Sequence, residues 1–441
     1  MEQRRKNLTQ LFIPICLETL LYMLSGMVDT LMLSSVNDQA VGAVGTANTY
    51  IGIFIIMFSV ISSGMVAVMT QNIGAGRPGV AYQARQLGLA FNAVLGIILS
   101  LILAFGAGTI LAGVGVADAL MQPARTYLQI VGGFCILNAL IPICSSYLRA
   151  FGFSKEPLYA SIIGNVINFC LNAFFLFVLH KGVAGVATAT VVSRIINLVI
   201  VVLLGAVLVK AKKHPERESN REVMGQIIRI GFPSACETAI YNVSMTLVIR
   251  FLNQMDAQGL NVTARSYTMQ ITNFSYCVGA ALAQANAIMT GWHIGAKEYD
   301  ACDRGTKKAA VIGVIVAVIL ETVFTLCSGW IMQLFSKDPQ MVSLVGKLLA
   351  IDIVLEMGRV TNLVYGQALK TSGDAVFPVV MGACFMILCS VGGTYLFGIR
   401  LGLLAVGAYI GMAGDECVRA IGMYLRWKSG KWKQKGLVKS R

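Results

Sequence analysis

A stripe of polar side chains runs along one face of the first apolar segment of the chain. Its members recur at i, i+4, i+7 and i+11, which places them on one side of an α-helix; they are Glu18, Tyr22, Ser25 and Asp29. Carboxylates are costly to place in an apolar segment, so they usually face a cavity or a partner and mark the route of an ion or a proton. The stripe therefore predicts a polar cavity wall.

The same stripe recurs in the second half of the chain, with one omission. An offset of 219 residues superimposes Glu237, Tyr241 and Ser244 on its first three members, whereas Asp29 is matched by Val248. We expect the two stripes to line one cavity between the halves. Because Asp29 has no counterpart, we expect it to bind an ion in the first half only.

A second stripe, of three amides and a hydroxyl, lies on the fifth apolar segment. Its members are again spaced i, i+4, i+7 and i+11: Ser161, Asn165, Asn168 and Asn172. Amides on one helical face can hydrogen-bond a carboxylate and hold it while its protonation changes. The same side chains could instead hydrogen-bond neighbouring helices, and their spacing does not distinguish the two roles.

Two acid–base pairs lie at helical spacing in the second half. Glu356 and Arg359 are i, i+3, and Asp415 and Arg419 are i, i+4, so each can form an ion pair on one helix face. We interpret both as structural or gating pairs, with direct substrate contact as the alternative. Gln270 belongs to a polar face of the eighth segment that we expect to line the cavity. The sequence assigns no role to three further acids, Glu321, Asp352 and Glu416.

The composition indicates a membrane protein. Of 441 residues, 56% are hydrophobic and 13% charged, whereas soluble domains carry about 25% charged residues. Apolar runs long enough to cross a bilayer core of about 30 Å recur from end to end. Lys and Arg concentrate on the side of the N-terminus, with few opposite (Arg265 among them), so the positive-inside rule places both termini in the cytoplasm. The net charge of +14 then reflects basic cytoplasmic edges rather than nucleic-acid binding.

The chain consists of two similar halves. "MTQNIGAG" at 69–76 matches "MTGWHIGAK" at 289–297, and "LRAFGFSKEPLY" at 148–159 matches "LKTSGDAVFPVV" at 369–380, at offsets near 220 residues. We predict an all-α polytopic membrane protein of twelve transmembrane helices, with a first lobe (1–209), a cytoplasmic linker (210–224), a second lobe (225–427) and a basic cytoplasmic tail (428–441). Six helices per lobe make the repeats parallel, as in many transporters that work by alternating access.

Several motifs are absent from the sequence. It contains no GxxxxGK[ST] phosphate loop and neither GxSxG nor HExxH. The histidines lack metal-ligand spacing: His180, His214 and His293. We therefore expect no direct use of ATP, no enzymatic activity, no cofactor and no metal site.

These motifs resemble the multidrug and toxic compound extrusion (MATE) family, and within it the bacterial DinF-related branch. The resemblance is carried, in order, by "GMVDTLMLSSVNDQAVGAVG" at 26–45, "TQNIGAG" at 70–76, "LRAFGFSKEPLYASIIGNVIN" at 148–168, "GFPSACE" at 231–237, "IGAKEYDACDRGTKKA" at 294–309, "LKTSGD" at 369–374 and "GDECVRAIGMYLRWKSGKW" at 414–432. It implies two six-helix lobes arranged as a V in the bacterial inner membrane, working as a monomer. It also implies export of bulky, often cationic organic compounds in exchange for H+ or Na+.

The resemblance also implies roles for individual residues. By the match in "VDT", Asp29 corresponds to the first-helix aspartate that the family uses for the coupling ion. Asn168 and Asn172 fall where the family keeps amides near that carboxylate. Glu237 lies in the seventh helix, as an important family glutamate does. The sixth span carries Arg194 and no carboxylate, unlike members of this branch with a second acid there.

The resulting hypothesis is antiport driven by protonation. Protonating Asp29 removes a charge that must otherwise be solvated or paired, which repacks the first lobe and expels a compound held by Glu18 and Glu237. We prefer H+ to Na+, since a sodium site needs several converging oxygens. The first alternative is a flippase for lipid-linked oligosaccharide or peptidoglycan precursors, which we expect to line its cavity with basic groups. The second is a receptor or scaffold that transports nothing.

Overall fold

A computed structural model describes residues 6–35, 38–113, 116–210, 214–256, 259–333 and 335–438. Within these ranges the chain is predominantly α-helical and contains no β-strand. Parts of the predicted linker (211–213) and of the predicted tail (439–441) lie outside the described residues. The chain divides into two compact units, Met1–Gly231 and Phe232–Arg441.

The first unit contains six helical rods. Its helices are α1 (Leu8–Ser34), α2 (Asp38–Gly74), α3 (Pro78–Gly113), α4 (Asp118–Tyr127), α5 (Ile136–Ala150), α6 (Lys155–Ala173) and α7 (Gly182–Leu208). Short π-helical turns extend α4 through Leu128–Gly132 and α6 through Phe174–Val178. The α4 and α5 segments meet at a bend of 42° and form one broken rod.

The second half repeats this plan. Its helices are α8 (Asn220–Met255), α9 (Leu260–Gly295), α10 (Tyr299–Leu326), the short α11 (Ser328–Met332), α12 (Pro339–Thr371), α13 (Val376–Phe385) and α14 (Leu404–Lys428). Two π-helical segments, Met386–Val391 and Thr394–Arg400, prolong α13, and a 3-10 turn (Lys431–Gln434) follows α14. The described part of the chain therefore holds a rod for each of the twelve predicted spans.

The boundary between the units lies inside α8 rather than in the predicted linker. The first turns of α8 pack against α2 so closely that their backbones touch at two glycines. A Cβ atom at Gly64 would collide with the backbone of Ile227, and one at Gly231 would collide with that of Val60. Small residues permit such close helix crossings in membranes, so the start of α8 packs as part of the first unit.

In the part of the chain that the structure describes, seven helices are long and apolar enough to cross a membrane, and the bent α4–α5 pair makes an eighth. The seven are α1, α2, α3, α6 with its π turn, α7, α10 and α13 with its π turns. The other rods, α8, α9, α12 and α14, are also long but carry several ionisable side chains. These four rods lie in the second half, and most of the buried charged side chains that the structure describes lie there as well.

Each unit has its own packed interior. In the first unit Leu103 and Leu128 are fully buried, and in the second Leu252 and Leu349 are fully buried. Lipid tails are as apolar as leucine, so in a bilayer such packing stabilises helix association mainly through van der Waals contact.

The repeat is also visible in the backbone at two helix ends. The aligned "LRAFG" and "LKTSG" motifs finish α5 and α12 with Gly152 and Gly373, whose φ angles are 86° and 97°. Glycine adopts this left-handed conformation at little cost and commonly ends a helix. At its other end α12 begins with Pro339 after Asp338, which accepts a hydrogen bond from the backbone of Gln340 at 2.9 Å.

Candidate functional site

Asp29 on α1 meets the amide stripe of α6. The Asn172 side-chain amide donates to Asp29 Oδ1 at 2.6 Å and also to Asn168 Oδ1 at 3.2 Å. Asn168 and Asn172 are buried and Asp29 is half-buried. Asn165, one turn away, makes no side-chain hydrogen bond with any residue that the structure describes. The structure thus joins three of the four predicted ion-site residues.

Asp29 has a cation nearby but no ion pair. Arg194 of α7 lies close enough to the Asp29 carboxylate for electrostatic attraction. Among the described residues, however, no basic nitrogen lies within 4.0 Å of the Asp29 carboxylate. The only hydrogen-bond partner of Asp29 in the described chain is therefore a neutral amide, which leaves its charge uncompensated by direct contact.

Glu18, the other acid of the first stripe, is held by a cation. Arg149 of α5 lies 2.5 Å from Glu18 Oε2, and the Ser161 hydroxyl donates to Oε1 at 3.4 Å. Between Glu18 and Asp29 on this face, the Tyr22 side chain is 69% exposed and Ser25 is half-buried. The stripe therefore contains one paired carboxylate and one without an ion pair.

The second unit encloses a cavity of about 410 Å³. Its wall combines ionisable residues with tyrosines, methionines and amides: Glu237, Thr238, Tyr241, Met245, Arg265, Met269, Thr272, Asn273, Tyr276, Asp352, Leu355, Arg359, Asn362, Leu363, Gln367, Lys370, Met386, Tyr409, Met412, Glu416 and Arg419. Cavities that bind small molecules typically measure about 300–1,000 Å³. This cavity is therefore large enough to hold an organic compound.

The second stripe reaches this cavity only in part. Glu237 and Tyr241 line it, and Glu237 is paired with Lys370 of α12 at 2.5 Å. Ser244, a turn further along α8, is instead packed against protein, with 1% of its surface exposed. Gln270 lies on the exposed side of α9 and is not among the lining residues.

The two acid–base pairs of the second half belong to one network. Arg419 binds both oxygens of Asp415 at 2.9 Å, and Arg359 pairs with Glu356. Glu416 connects them, because its Oε1 lies 2.9 Å from Arg419 and 3.4 Å from Arg359. A buried charge is tolerated when it is paired and hydrogen-bonded, and each charge of this network has an ion-pair partner, although Oε2 of Glu356 has no hydrogen-bond partner within the described chain.

Two acids of the second unit have no such compensation. Glu321 of α10 is 0% exposed and Asp352 of α12 is 2% exposed. Within the described chain, both oxygens of Glu321 and Oδ2 of Asp352 lack a hydrogen-bond partner. Asp352 lines the cavity, whereas Glu321 is not among the lining residues but interacts electrostatically with Asp352.

Sequence reasoning missed the cationic partners of the two stripes. Arg149 and Lys370 occupy the same place in the aligned "LRAFG" and "LKTSG" motifs, opposite the repeated Glu18 and Glu237. A basic residue and a glutamate that are both duplicated at offsets near 220 residues were the available signal. Sequence reasoning also counted Arg265 among the basic residues at the outer side, but it lies inside α9 and is buried.

Twelve helical rods in two repeated halves, with ionisable side chains inside them, are typical of membrane transporters. A family model described as MatE matches residues 14–174 and 233–396. The chain therefore belongs to the MatE family, which confirms the resemblance noted in its motifs. It is accordingly a multi-pass membrane transporter and not an enzyme.

Individual relatives agree with this assignment. The chain is 34% identical to "Uncharacterized transporter YisQ" of Bacillus subtilis (strain 168), over 96% of this chain and 94% of that protein. It is 23% identical to "Probable multidrug resistance protein NorM" of Thermotoga maritima, over 98% of this chain and 94% of that protein.

A solved structure confirms the fold class. A multidrug resistance MATE family transporter of the MOP superfamily, in an outward-facing conformation, superposes with a TM-score of 0.86 at 18% identity. The match covers 98% of this chain and 96% of that one. The predicted all-α, two-lobe fold class is therefore confirmed.

Proposed function

We propose that this transporter is a secondary antiporter that exports organic compounds in exchange for protons, with Asp29 as the proton site. The observation that carries the proposal is the contrast between Asp29 and the other acids of the two stripes. Glu18 and Glu237 are each neutralised by a cation at 2.5 Å, whereas the only described hydrogen bond of Asp29 comes from the neutral amide of Asn172.

A carboxylate without an ion pair can change its charge without breaking one. In a low-dielectric interior, an uncompensated charge is costly, and proton binding removes that cost. Arg194 lies near Asp29, but among the described residues no basic nitrogen contacts its carboxylate. Each proton bound therefore changes the electrostatic balance among α1, α6 and α7, and that change can drive repacking of the first unit.

The contacts of Asp29 favour a proton over Na+ as the coupling ion. A sodium ion needs several oxygen ligands converging on one point. Here an N–H group of Asn172 donates to Oδ1 of Asp29. An N–H donor stabilises a carboxylate, but it cannot serve as a ligand of a sodium ion. The amide then holds the carboxylate in place while the proton arrives and leaves.

We further propose that the exported compound binds in the cavity of the second unit. Its methionines adapt to different shapes and its tyrosines combine an apolar ring with a polar hydroxyl. Glu237 and Tyr241, both predicted to line the substrate cavity, are part of its wall.

The decisive experiment is dye efflux from proteoliposomes under imposed H+ or Na+ gradients. Wild-type protein should move dye when a proton gradient is imposed and should fail to do so with a sodium gradient alone. Asp29→Asn should abolish gradient-driven efflux while leaving protein yield and thermal stability unchanged. Asp118→Asn, an exposed acid at the start of α4, is the matched control. Normal efflux by Asp29→Asn would overturn the assignment.

The proposed setting is the bacterial inner membrane with both termini in the cytoplasm. The distribution of Lys and Arg supports this orientation through the positive-inside rule. Single-cysteine labelling with a membrane-impermeant maleimide in a cysteine-free background tests it. A cysteine in the 297–299 turn should resist labelling in intact cells, and one at 336–338 should react.

A further inference from the structure

Among the residues that the structure describes, one buried cation of the second unit's cavity has no ion pair. Arg265 lies in the second turn of α9 with 7% of its surface exposed, and it lines the cavity. Its guanidinium makes one described polar contact, from Nη2 to the Met245 sulfur at 3.8 Å, and its Nε has no partner within the described chain. A thioether sulfur is only a weak acceptor.

The other cations of the cavity differ from Arg265. Lys370 is paired with Glu237, Arg359 with Glu356 and Glu416, and Arg419 with Asp415 and Glu416. No carboxylate of the described residues lies within 4.0 Å of Arg265. A buried charge without a counterion is costly, so Arg265 leaves an anion site open in the cavity wall.

The surroundings of Arg265 suit an organic anion. The Tyr409 hydroxyl lies close enough to interact electrostatically with it, and Met245 packs beside it. A guanidinium binds a carboxylate through two parallel N–H bonds. Both Asp352 and Lys370 of α12 line the cavity, and eighteen residues of helix rise roughly 27 Å, so the lining follows several turns of α12. Arg265 therefore offers a polar anchor for a partly apolar molecule.

We infer that this cavity selects organic compounds that carry a carboxylate, and that Arg265 binds that carboxylate. The inference rests on the proposed export function, since it names the compounds that the cavity takes. Asp352 faces the same cavity and repels an anion when ionised. Compounds whose carboxylate reaches Arg265 while a cationic or polar group stays near Asp352 therefore fit best.

A pair of dyes that differ only in the carboxylate tests this inference. Rhodamine 110 has a free carboxyl group, and rhodamine 123 is its methyl ester with the same cationic ring system. Both dyes share the attraction between that ring system and Asp352, so the difference between their affinities reports on the carboxylate. Binding to the purified full-length protein in detergent is measured by fluorescence anisotropy, without any ion gradient.

Wild-type protein should bind rhodamine 110 more tightly than rhodamine 123. Arg265→Gln should weaken binding of rhodamine 110 by roughly tenfold or more, because it removes a charge-assisted bidentate contact. The same substitution should leave the affinity for rhodamine 123 unchanged. Arg265→Lys should keep part of the preference. Arg250→Gln, at an exposed position of α8, is the control and should behave as wild type.

Three outcomes overturn the inference. The first is that the wild-type protein binds rhodamine 123 as tightly as rhodamine 110 or more tightly. The second is that Arg265→Gln lowers the affinity for both dyes equally, and the third is that it lowers neither affinity. If Arg265→Gln does not fold, the wild-type comparison and Arg265→Lys still decide. Selective binding without dye export in proteoliposomes would overturn the proposed function alone, whereas export without carboxylate selectivity would overturn this inference alone.

Discussion

Arg149 pairs with Glu18 at 2.5 Å in the first unit, and Lys370 pairs with Glu237 at 2.5 Å in the second. The two glutamates are related by the internal repeat, and so are the two basic residues. Each pair joins the first rod of its half to the rod that ends in the "LRAFG" or "LKTSG" motif. The duplicated carboxylates are therefore held by cations, whereas Asp29, which the second half lacks, forms no ion pair with any residue that the structure describes.

Breaking the first of these pairs should destabilise the protein. Glu18→Gln leaves the buried Arg149 without its counterion, which typically costs about 3 kcal/mol. Thermal unfolding in detergent should show a lower Tm. The double variant Glu18→Gln with Arg149→Gln should lose less stability than the two single variants added together, because neither charge is left alone. Additive losses would show that the two side chains do not interact.

The amide of Asn172 should matter more for transport than that of Asn165. Asn172→Ala removes the hydrogen bond to Asp29, and a hydrogen bond to a charged group contributes about 1.5–3 kcal/mol. We expect proton-driven dye efflux to fall about tenfold or more, at unchanged Tm within a few degrees. The Asn165 side chain makes no hydrogen bond with any described residue, so the Asn165→Ala protein should transport at the wild-type rate. Equal rates for both variants would contradict the role of Asn172.

Glu416 should be the most sensitive member of the buried ion network. It contacts both Arg359 and Arg419 and accepts a hydrogen bond from Asn362 at 3.0 Å. Glu416→Gln therefore weakens two cation contacts at once, and we expect a larger loss of Tm than for Asn362→Ala. Asp118→Asn should leave the Tm unchanged, because the Asp118 side chain is exposed. A Glu416→Gln protein as stable as wild type would exclude a structural role.

Gly373 should tolerate no side chain. Its φ of 97° strains any L-residue, and a Cβ atom there would collide with the backbone of Lys435. We expect Gly373→Ala to lower the Tm in detergent, at a cost of at least about 1 kcal/mol. Gly305→Ala is the control, since this glycine lies within α10 with open space around it, and alanine should be neutral or slightly stabilising there. Equal Tm values for the two variants would contradict this account.

Local spacing predicted a large part of the candidate site. The intervals of the α1 and α6 stripes placed Asp29, Asn168 and Asn172 on single helix faces, and the structure brings those faces together. The two ion pairs within helices lie at i, i+3 and i, i+4 and are present as well. Contacts of this kind depend on helical periodicity, which the order of residues fixes directly.

Helical spacing could not predict the contacts between different helices. Arg149 and Glu18 are 131 residues apart, and Arg359 and Glu416 are 57 apart. Their proximity depends on which rods pack side by side and how each is rotated, and no single segment encodes either property. Ser244 shows the limit most clearly, since it shares a face with Glu237 and Tyr241 but is packed against protein outside the cavity.

The sequence by itself determined the membrane class, the duplicated set of helices, the family and the isolation of Asp29 within the repeat. These follow from composition, periodicity and internal alignment, which are properties of the linear amino-acid sequence. Tertiary structure alone decided which charges are neutralised. Within the described part of the chain, packing places cations beside Glu18 and Glu237 but forms no ion pair with Asp29, and it buries Arg265 without a carboxylate in contact. Charge compensation depends on distances of a few ångströms between separate helices, and only the folded chain sets those distances.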